Sequence, residues 1–294
     1  MTTSTSELSP QRYALLGATG NTGRLILKRL LASPTPLEIN IYVRSRSKLE
    51  ALFPSLSSNA SVRILEGSIH DRALIRDCLC GATTIICTVG ENENIPGVRI
   101  LRDCATAILD ALVALKGTKH EYAQAQTPRP RLLLLSSATW NERFAAARPA
   151  LLHWMIRNAF ARPYSDLVLA QEMLAGASEF VDVLLVQPNA LVKEPASGCV
   201  ISSDFAYIAV SYEDLAEGFV RLASEPQYAD VAATGVSSKR AESEMLYIPF
   251  VFGKVIRGLA FQFVPGFWQA EYASAAWSSG LRQLVWGTGK SKSA

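Results

Sequence analysis

Histidine, cysteine and excess charge are all scarce in this 294-residue sequence, and each shortage removes a class of function. Three histidines, His70, His120 and His153, lie far apart, and no His, Cys or acidic residues fall at metal-ligand spacing. Five cysteines (Cys78, Cys80, Cys87, Cys104 and Cys199) are an odd number without a Cys-x-x-Cys pair, so neither a disulfide framework nor a zinc site is expected. A net charge of only +3, with no basic stripe interleaved with aromatics, gives no footprint for a nucleic-acid partner. Residues 1–11 are polar and lack the apolar centre of a secretory signal. Together with reduced thiols, that predicts a cytoplasmic protein with frayed tails at 1–11 and 281–294.

A long uninterrupted apolar run is also missing. The nearest approach, residues 246–268, is broken by Pro249, Lys254, Arg257, Gly258 and Pro265. Two central cations would cost about 2.5–3.5 kcal/mol each in a bilayer. The stretch is therefore expected to be a helix of a substrate lobe, packed over a crevice, with weak membrane-surface docking as a secondary role and no transmembrane span. No internal repeat is evident. Hydrophobic residues make up 49% of the chain and charged ones 19%, enough apolar material for a large core.

What is present begins with Tyr13-Ala14-Leu15-Leu16, a short apolar run, followed by Gly17-Ala18-Thr19-Gly20-Asn21-Thr22-Gly23 and then a helical pattern from Arg24 to Leu31. Strand, glycine turn and helix in that order form the context of a dinucleotide fingerprint, here spaced G-x-x-G-x-x-G. Gly17 permits the tight turn, Gly20 lets the backbone approach a pyrophosphate, and Gly23 lets the helix pack close to the sheet. Thr19, Asn21 and Thr22 complete the candidate cradle, with the N–H groups of the helix N-terminus facing the phosphates.

Further along, Ile39–Val43 reads as a buried parallel strand ending in Arg44-Ser45-Arg46-Ser47-Lys48. Such a strand end, about 20 residues past the glycine turn, is where an acid would bind the ribose of NAD or an arginine the 2′-phosphate of NADP. Arg44, with Ser45 and Lys48, and no acid in this turn, favours NADP(H) over NAD. Residues 61–65, 84–90, 131–136 and 181–186 supply further strands, with helical patterns over 72–80, 97–115, 164–174 and 211–223. This alternation predicts an α/β protein with a doubly wound parallel sheet. A nucleotide domain over 12–200 is expected, followed by helices of a small lobe over 201–280, some of them interleaved with the first domain. Residues 116–130 are expected to form a mobile connection.

Loops at the carboxyl ends of parallel strands line the crevice. Ser68 and Ile69 are therefore placed at the adenine, and Thr88, Val89 and Gly90 beneath the ribose and nicotinamide. Ser136 and Ser137 end a central strand, where they either bind a carbonyl or only cap and turn. The aromatic, basic segment from Trp140 to Pro163 reads equally as a lid or as core. Tyr164 and Asp166 lie two apart at an expected helix start. Asp166 reads either as a general base raised by burial or as a first-turn acid. His153 is the one histidine near the expected site, and Gln187 and Asn189 follow the sixth strand as candidate substrate contacts.

The glycine turn, Arg44 and Gln187-Pro188 resemble the NmrA-like, atypical group of short-chain dehydrogenase/reductases. Tyr164-Ser165-Asp166-Leu167, Ala170-Gln171-Glu172 and Ser211-Tyr212-Glu213-Asp214-Leu215-Ala216 are similar to a fungal branch that includes averufin-oxidase-like proteins of polyketide pathways. The resemblance spans residues 12–268. It implies an NADP(H)-dependent oxidoreductase acting on an aromatic, polyketide-type small molecule, as a monomer or a homodimer. Ordinary members carry Tyr-x-x-x-Lys, in which the lysine lowers the tyrosine pKa. Here Val168 follows Tyr164 by four, and no tyrosine in the chain has a lysine at that spacing. That departure keeps two other readings open: an isomerase, cyclase or dehydratase in the same pocket, and an NADP-sensing regulator. Gly20→Glu is expected to abolish saturable NADPH binding in calorimetric titration; wild-type affinity would contradict the fingerprint.

Overall fold

The computed structural model describes residues 11–119, 129–146, 148–243 and 247–274. Short apolar runs alternate with amphipathic segments, and the chain folds accordingly. It opens with β1 (Gln11–Leu16), α1 (Asn21–Leu31), β2 (Leu37–Val43), α2 (Arg46–Leu52), β3 (Val62–Glu66), α3 (Arg72–Leu79), β4 (Thr84–Cys87), α4 (Ile100–Lys119) and β5 (Arg131–Leu135). There follow α5 (Glu142–Ala145), α6 (Ala150–Ala159), α7 (Ala161–Ala175), β6 (Asp182–Gln187), β7 (Ala190–Val192), β8 (Cys199–Ser202) and β9 (Ala209–Ser211). The last elements are α8 (Tyr212–Ser224), β10 (Ala233–Ser238) and α9 (Ile248–Phe263).

Eight strands form one sheet in the order β3-β2-β1-β4-β5-β6-β10-β8, and β7 pairs with β9 separately. Every pairing in the large sheet is parallel except β10 with the edge strand β8. Central strands are buried on both faces, as crossover helices require. On one face Ile75, Cys78, Cys104, Ile108, Leu112 and Leu174 of α3, α4 and α7 pack against β1, β4 and β5. On the other face Ile26, Leu27, Phe219 and Leu222 of α1 and α8 cover Leu15, Ile86, Leu133 and Leu184. This is the doubly wound α/β arrangement that the alternation predicts.

Three boundaries differ from the sequence expectation. The sheet does not stop near residue 200: β10 pairs with β6, β8 pairs with β10, and α8 packs on α1, so elements past 200 interleave with the earlier ones. Helix α9 packs on α6. Helix α7 begins at Ala161 rather than near Tyr164, and α4 extends to Lys119. Residues 1–10, most of the expected connection at 116–130, and residues 275–294 fall wholly or partly outside the described residues. No single described helix is long and apolar enough to cross a membrane.

The reading of the aromatic segment also divides. Phe144 and Ala159 are buried as core, whereas Leu151 and Trp154 are exposed, Trp154 stacking on Phe263 of α9 with centroids 6.1 Å apart. Two buried acids fix the periphery. Asp214 at the start of α8 accepts hydrogen bonds from the Ser197 and Gly198 backbone and from the Ser211 and Ser238 hydroxyls, pinning β8, β9 and β10 to one helix. Asp166 does the same between α4 and α7, as described below.

The glycine turn sets the closest approach in the fold. A Cβ on Gly23 would lie 2.1 Å from the Gly17 carbonyl oxygen, and one on Gly17, whose φ is +101°, 2.5 Å from the Thr88 hydroxyl. Neither backbone can retreat. Gly23→Ala is therefore expected to lower stability by about 1–3 kcal/mol in urea unfolding. Gly117→Ala, on an open stretch of α4 with nothing within 4 Å, is expected to raise it by about 0.5–1 kcal/mol.

Candidate active site

Gly20 ends the turn as the N-cap of α1. Its N–H donates to the Gly17 carbonyl at 2.9 Å, no side chain caps the helix, and no acid occupies its first turn. The helix therefore presents its first-turn N–H groups and positive dipole end with no side-chain cap among the described residues. Thr22 is buried in that first turn, while Asn21 is exposed and Thr19 half-buried at the turn. Thr88 has a structural duty: its backbone N–H donates to the Leu16 carbonyl, and its hydroxyl reaches the Leu16 and Gly17 carbonyls at 3.3 and 3.5 Å. Val89 and Gly90 follow it at the mouth of the crevice, half-buried and exposed respectively. The residues thus fit a pyrophosphate on two counts: a cradle that any Cβ would fill and a helix end left uncapped.

Beside the turn lies a cleft of about 450 Å³ lined by Arg44, Ser68, Ile69, His70 and Arg99, among others. Three of the residues assigned to the adenosine half from sequence are therefore brought together. Arg44 is exposed and makes no ion pair among the described residues, whereas its neighbours are committed. Arg46 bonds the Ile64 carbonyl through its guanidinium and Glu66 through its backbone N–H. Ser45 caps α2, its hydroxyl accepting from the Lys48 N–H, so both residues hold the turn. Glu66 is an acid near this end of the sheet that the sequence pattern alone does not place there; β3 brings it opposite Val43.

At the carboxyl end of β5 the structure gathers hydroxyls. Ser137 Oγ donates to Tyr164 Oη at 3.3 Å, and Thr139 Oγ1 lies 3.3 Å from the same oxygen. Trp140 meets the Tyr164 ring edge-on at 5.8 Å and Phe160 tilts against it at 5.7 Å. Thr139 belongs to this cluster although only its serine neighbours draw notice in the sequence.

Several candidate residues are drawn elsewhere. Asp166, only 2% exposed, accepts from the Leu101 and Arg102 backbone N–H groups at 2.8 and 3.1 Å and pairs with the Arg102 guanidinium at 3.0 Å. Both oxygens are spent on the N-terminus of α4, so it is neither a free base nor a first-turn acid of its own helix; it ties two helices together. Ser136 accepts from Gln171 and Gln187, and Gln187 takes the Asn141 amide at 2.8 Å. Both are buried in this network rather than turned to a substrate. Asn189 donates to the Ala206 and Tyr207 carbonyls and accepts from Arg148 at 3.0 Å. His153 stands 3.4 Å from Arg148, and burial, with the charges of Arg148 and Arg157, pushes its pKa down. Because a guanidinium can only donate, the Nδ1 that faces it is the acceptor.

The loop after β4 joins α9 to this end of the sheet. Asn94, 2% exposed, donates to the Asn158 and Gly258 carbonyls and to Gln262, and accepts from the Arg162 N–H at 2.9 Å. Glu93 pairs with Arg257, which also holds Glu271. In sequence these residues read only as a polar loop; no local pattern reveals partners so distant in the chain.

Comparison with known proteins bears on the family and the fold. Residues 17–226 match the NAD(P)H-binding family. The chain is 33% identical over 263 residues to the oxidoreductase aflX of Aspergillus parasiticus, covering 89% of this chain and 95% of that one. It is 30% identical to the oxidoreductase ordB of Dothistroma septosporum, covering 90% and 95%. In fold it is similar to a short-chain dehydrogenase/reductase of Veillonella parvula solved with NADP, with a TM-score of 0.60 at 17% identity, over 78% of this chain and 95% of that one. The chain therefore belongs to the NAD(P)H-binding family and is a Rossmann-fold oxidoreductase related to those of fungal secondary metabolism.

Proposed function

We propose that the protein is an NADP(H)-dependent oxidoreductase of fungal secondary metabolism that reduces or oxidises an aromatic, polyketide-type small molecule, with Tyr164 as the proton carrier. The observation that carries this reading is the hydroxyl cluster of Ser137, Thr139 and Tyr164 at the end of β5, next in the sheet to β4, which Thr88 follows. When bound, the nicotinamide supplies or takes the hydride. Gly17, Gly20, Gly23 and the N-terminus of α1 would hold the pyrophosphate, and Ser68 and Ile69 the adenine.

Arg44 supports the choice of NADP(H). Its guanidinium lines the adenosine cleft without a carboxylate partner, and a 2′-phosphate supplies the missing negative charge. Ser137 and Thr139 hold the Tyr164 hydroxyl by hydrogen bonds, so that its proton can pass to or from a carbonyl oxygen placed against it. The clamp from Asp166 to α4 keeps this stretch of α7 fixed, which makes Asp166 a positioning residue. Trp140 and Phe160 give the cluster flat apolar walls suited to an aromatic ring.

Two measurements test the reading. NADPH is expected to bind at least about ten-fold more tightly than NADH by calorimetry, and Arg44→Ala to remove most of that difference. Tyr164→Phe should leave NADPH affinity unchanged while lowering turnover of an aromatic ketone or quinone by about 10²-fold or more. Mass spectrometry of products separates the alternatives: a gain or loss of two hydrogens supports hydride transfer, conversion without mass change indicates an isomerase, and no conversion with saturable NADPH binding indicates a sensor.

A further inference from the structure

One charge near Tyr164 is not used by the reading above. Arg148 is half-buried between α5 and α6, and burial pulls its pKa down while Tyr164 acts in the opposite direction. Three other partly buried arginines have acids, Arg29 with Glu217, Arg102 with Asp166 and Arg257 with Glu93 and Glu271, while Arg131 and Arg162 are taken up by backbone carbonyls. Arg148 has no acid among the described residues. Its two hydrogen-bond partners are neutral, the Asn189 amide oxygen and the His153 ring nitrogen. A guanidinium carries five N–H donors, so three have no acceptor from the described residues.

Its place in the fold is fixed independently of any titration. Asn189 follows Pro188, whose carbonyl accepts the Ala138 N–H at 3.0 Å, and Ala138 lies between the two residues that hold the Tyr164 hydroxyl. Arg148, through Asn189, is therefore seated against the hydroxyl cluster. Two further features converge there. Arg157, exposed to solvent, stacks 4.0 Å over the Trp140 ring and makes no ion pair among the described residues. The buried Trp140 indole N–H has no acceptor among the described residues. A buried donor left unmade is costly unless a ligand completes it.

We propose that Arg148 anchors an acidic oxygen of the substrate, so that the molecule converted beside Tyr164 is an aromatic acid or acidic phenol bound as its anion. The inference rests on the reading of Tyr164 as the reacting end of the crevice and narrows the substrate class to one with a carboxylate, or a phenol acidified by an adjacent carbonyl. The planar fork of arginine suits either oxygen pattern, and its neutral partners keep it oriented without cancelling its charge.

The test uses the full chain, with and without saturating NADPH, and two probes: 3-hydroxy-2-naphthoate and its methyl ester. In calorimetric titration the acid is expected to bind at least about ten-fold more tightly than the ester, and rising salt to erode that advantage. Arg148→Gln should bring the two affinities together, and Arg148→Lys should keep part of the difference. Wild-type protein that binds the ester as well as the acid, or binds neither, overturns the proposal without recourse to any variant. So does an unchanged preference in an Arg148→Gln protein of native melting temperature. The outcome is separable from the catalytic reading. Loss of acid preference with normal NADPH binding and a Tyr164→Phe defect removes only the anchor. A turnover insensitive to Tyr164→Phe removes the proton carrier instead.

Discussion

Backbone meets backbone where Gly17, Gly23 and Thr88 come together, and the remaining layout depends on that contact. A helix that opens directly against the carbonyl of a preceding turn can do so only without a side chain at Gly23. The approach fixes α1 over β1 and β4, and α8 then packs on α1 to close that face of the sheet. It also decides where the uncapped end of α1 points. Packing and anion binding are thus one constraint: the glycine that lets the helix sit close is the one that brings its N–H groups to the crevice.

A second set of contacts, polar and partly buried, places Tyr164. Asp166 holds α7 to the first turn of α4, and Tyr164 lies two residues before it, on a different side of the same helix. Because side chains two apart on a helix diverge, one residue can lock the helix while the other faces the hydroxyl cluster. Asn94 and the Glu93–Arg257–Glu271 pairings bind α9 to the loop after β4, so the apolar C-terminal stretch is fixed to the end of the sheet. Of these groups Asp166 and Asn94 are buried, so truncating either would leave donors dry, whereas the Glu93–Arg257–Glu271 pairs are partly exposed and solvent weakens them. The position of Tyr164 is accordingly held by its neighbours on α4 and α7.

The fold and the nucleotide turn were legible because their signals are local. Short apolar strands, an amphipathic helix after each and a glycine every third residue in the turn all lie within windows of ten or twenty residues. Ser136, Gln187, Asn189 and Asp166 were legible only as polar residues near the right strand ends. Which of them face a crevice and which satisfy buried neighbours depends on partners such as Gln171, Asn141 and Arg102, up to dozens of residues away. Thr139 and Arg148 carried no pattern at all.

What the sequence determined by itself is therefore the parallel sheet, the order of its elements and the glycine turn that faces a dinucleotide, since hydrophobic period and glycine spacing act through the backbone nearby. The tertiary structure alone decided that residues past 200 complete the sheet, that Asp166 is a clamp, and that Arg148 stands without an acid partner among the described residues. Those outcomes are set by desolvation and hydrogen-bond satisfaction among side chains remote in the chain, and such pairings exist only once the layers have closed.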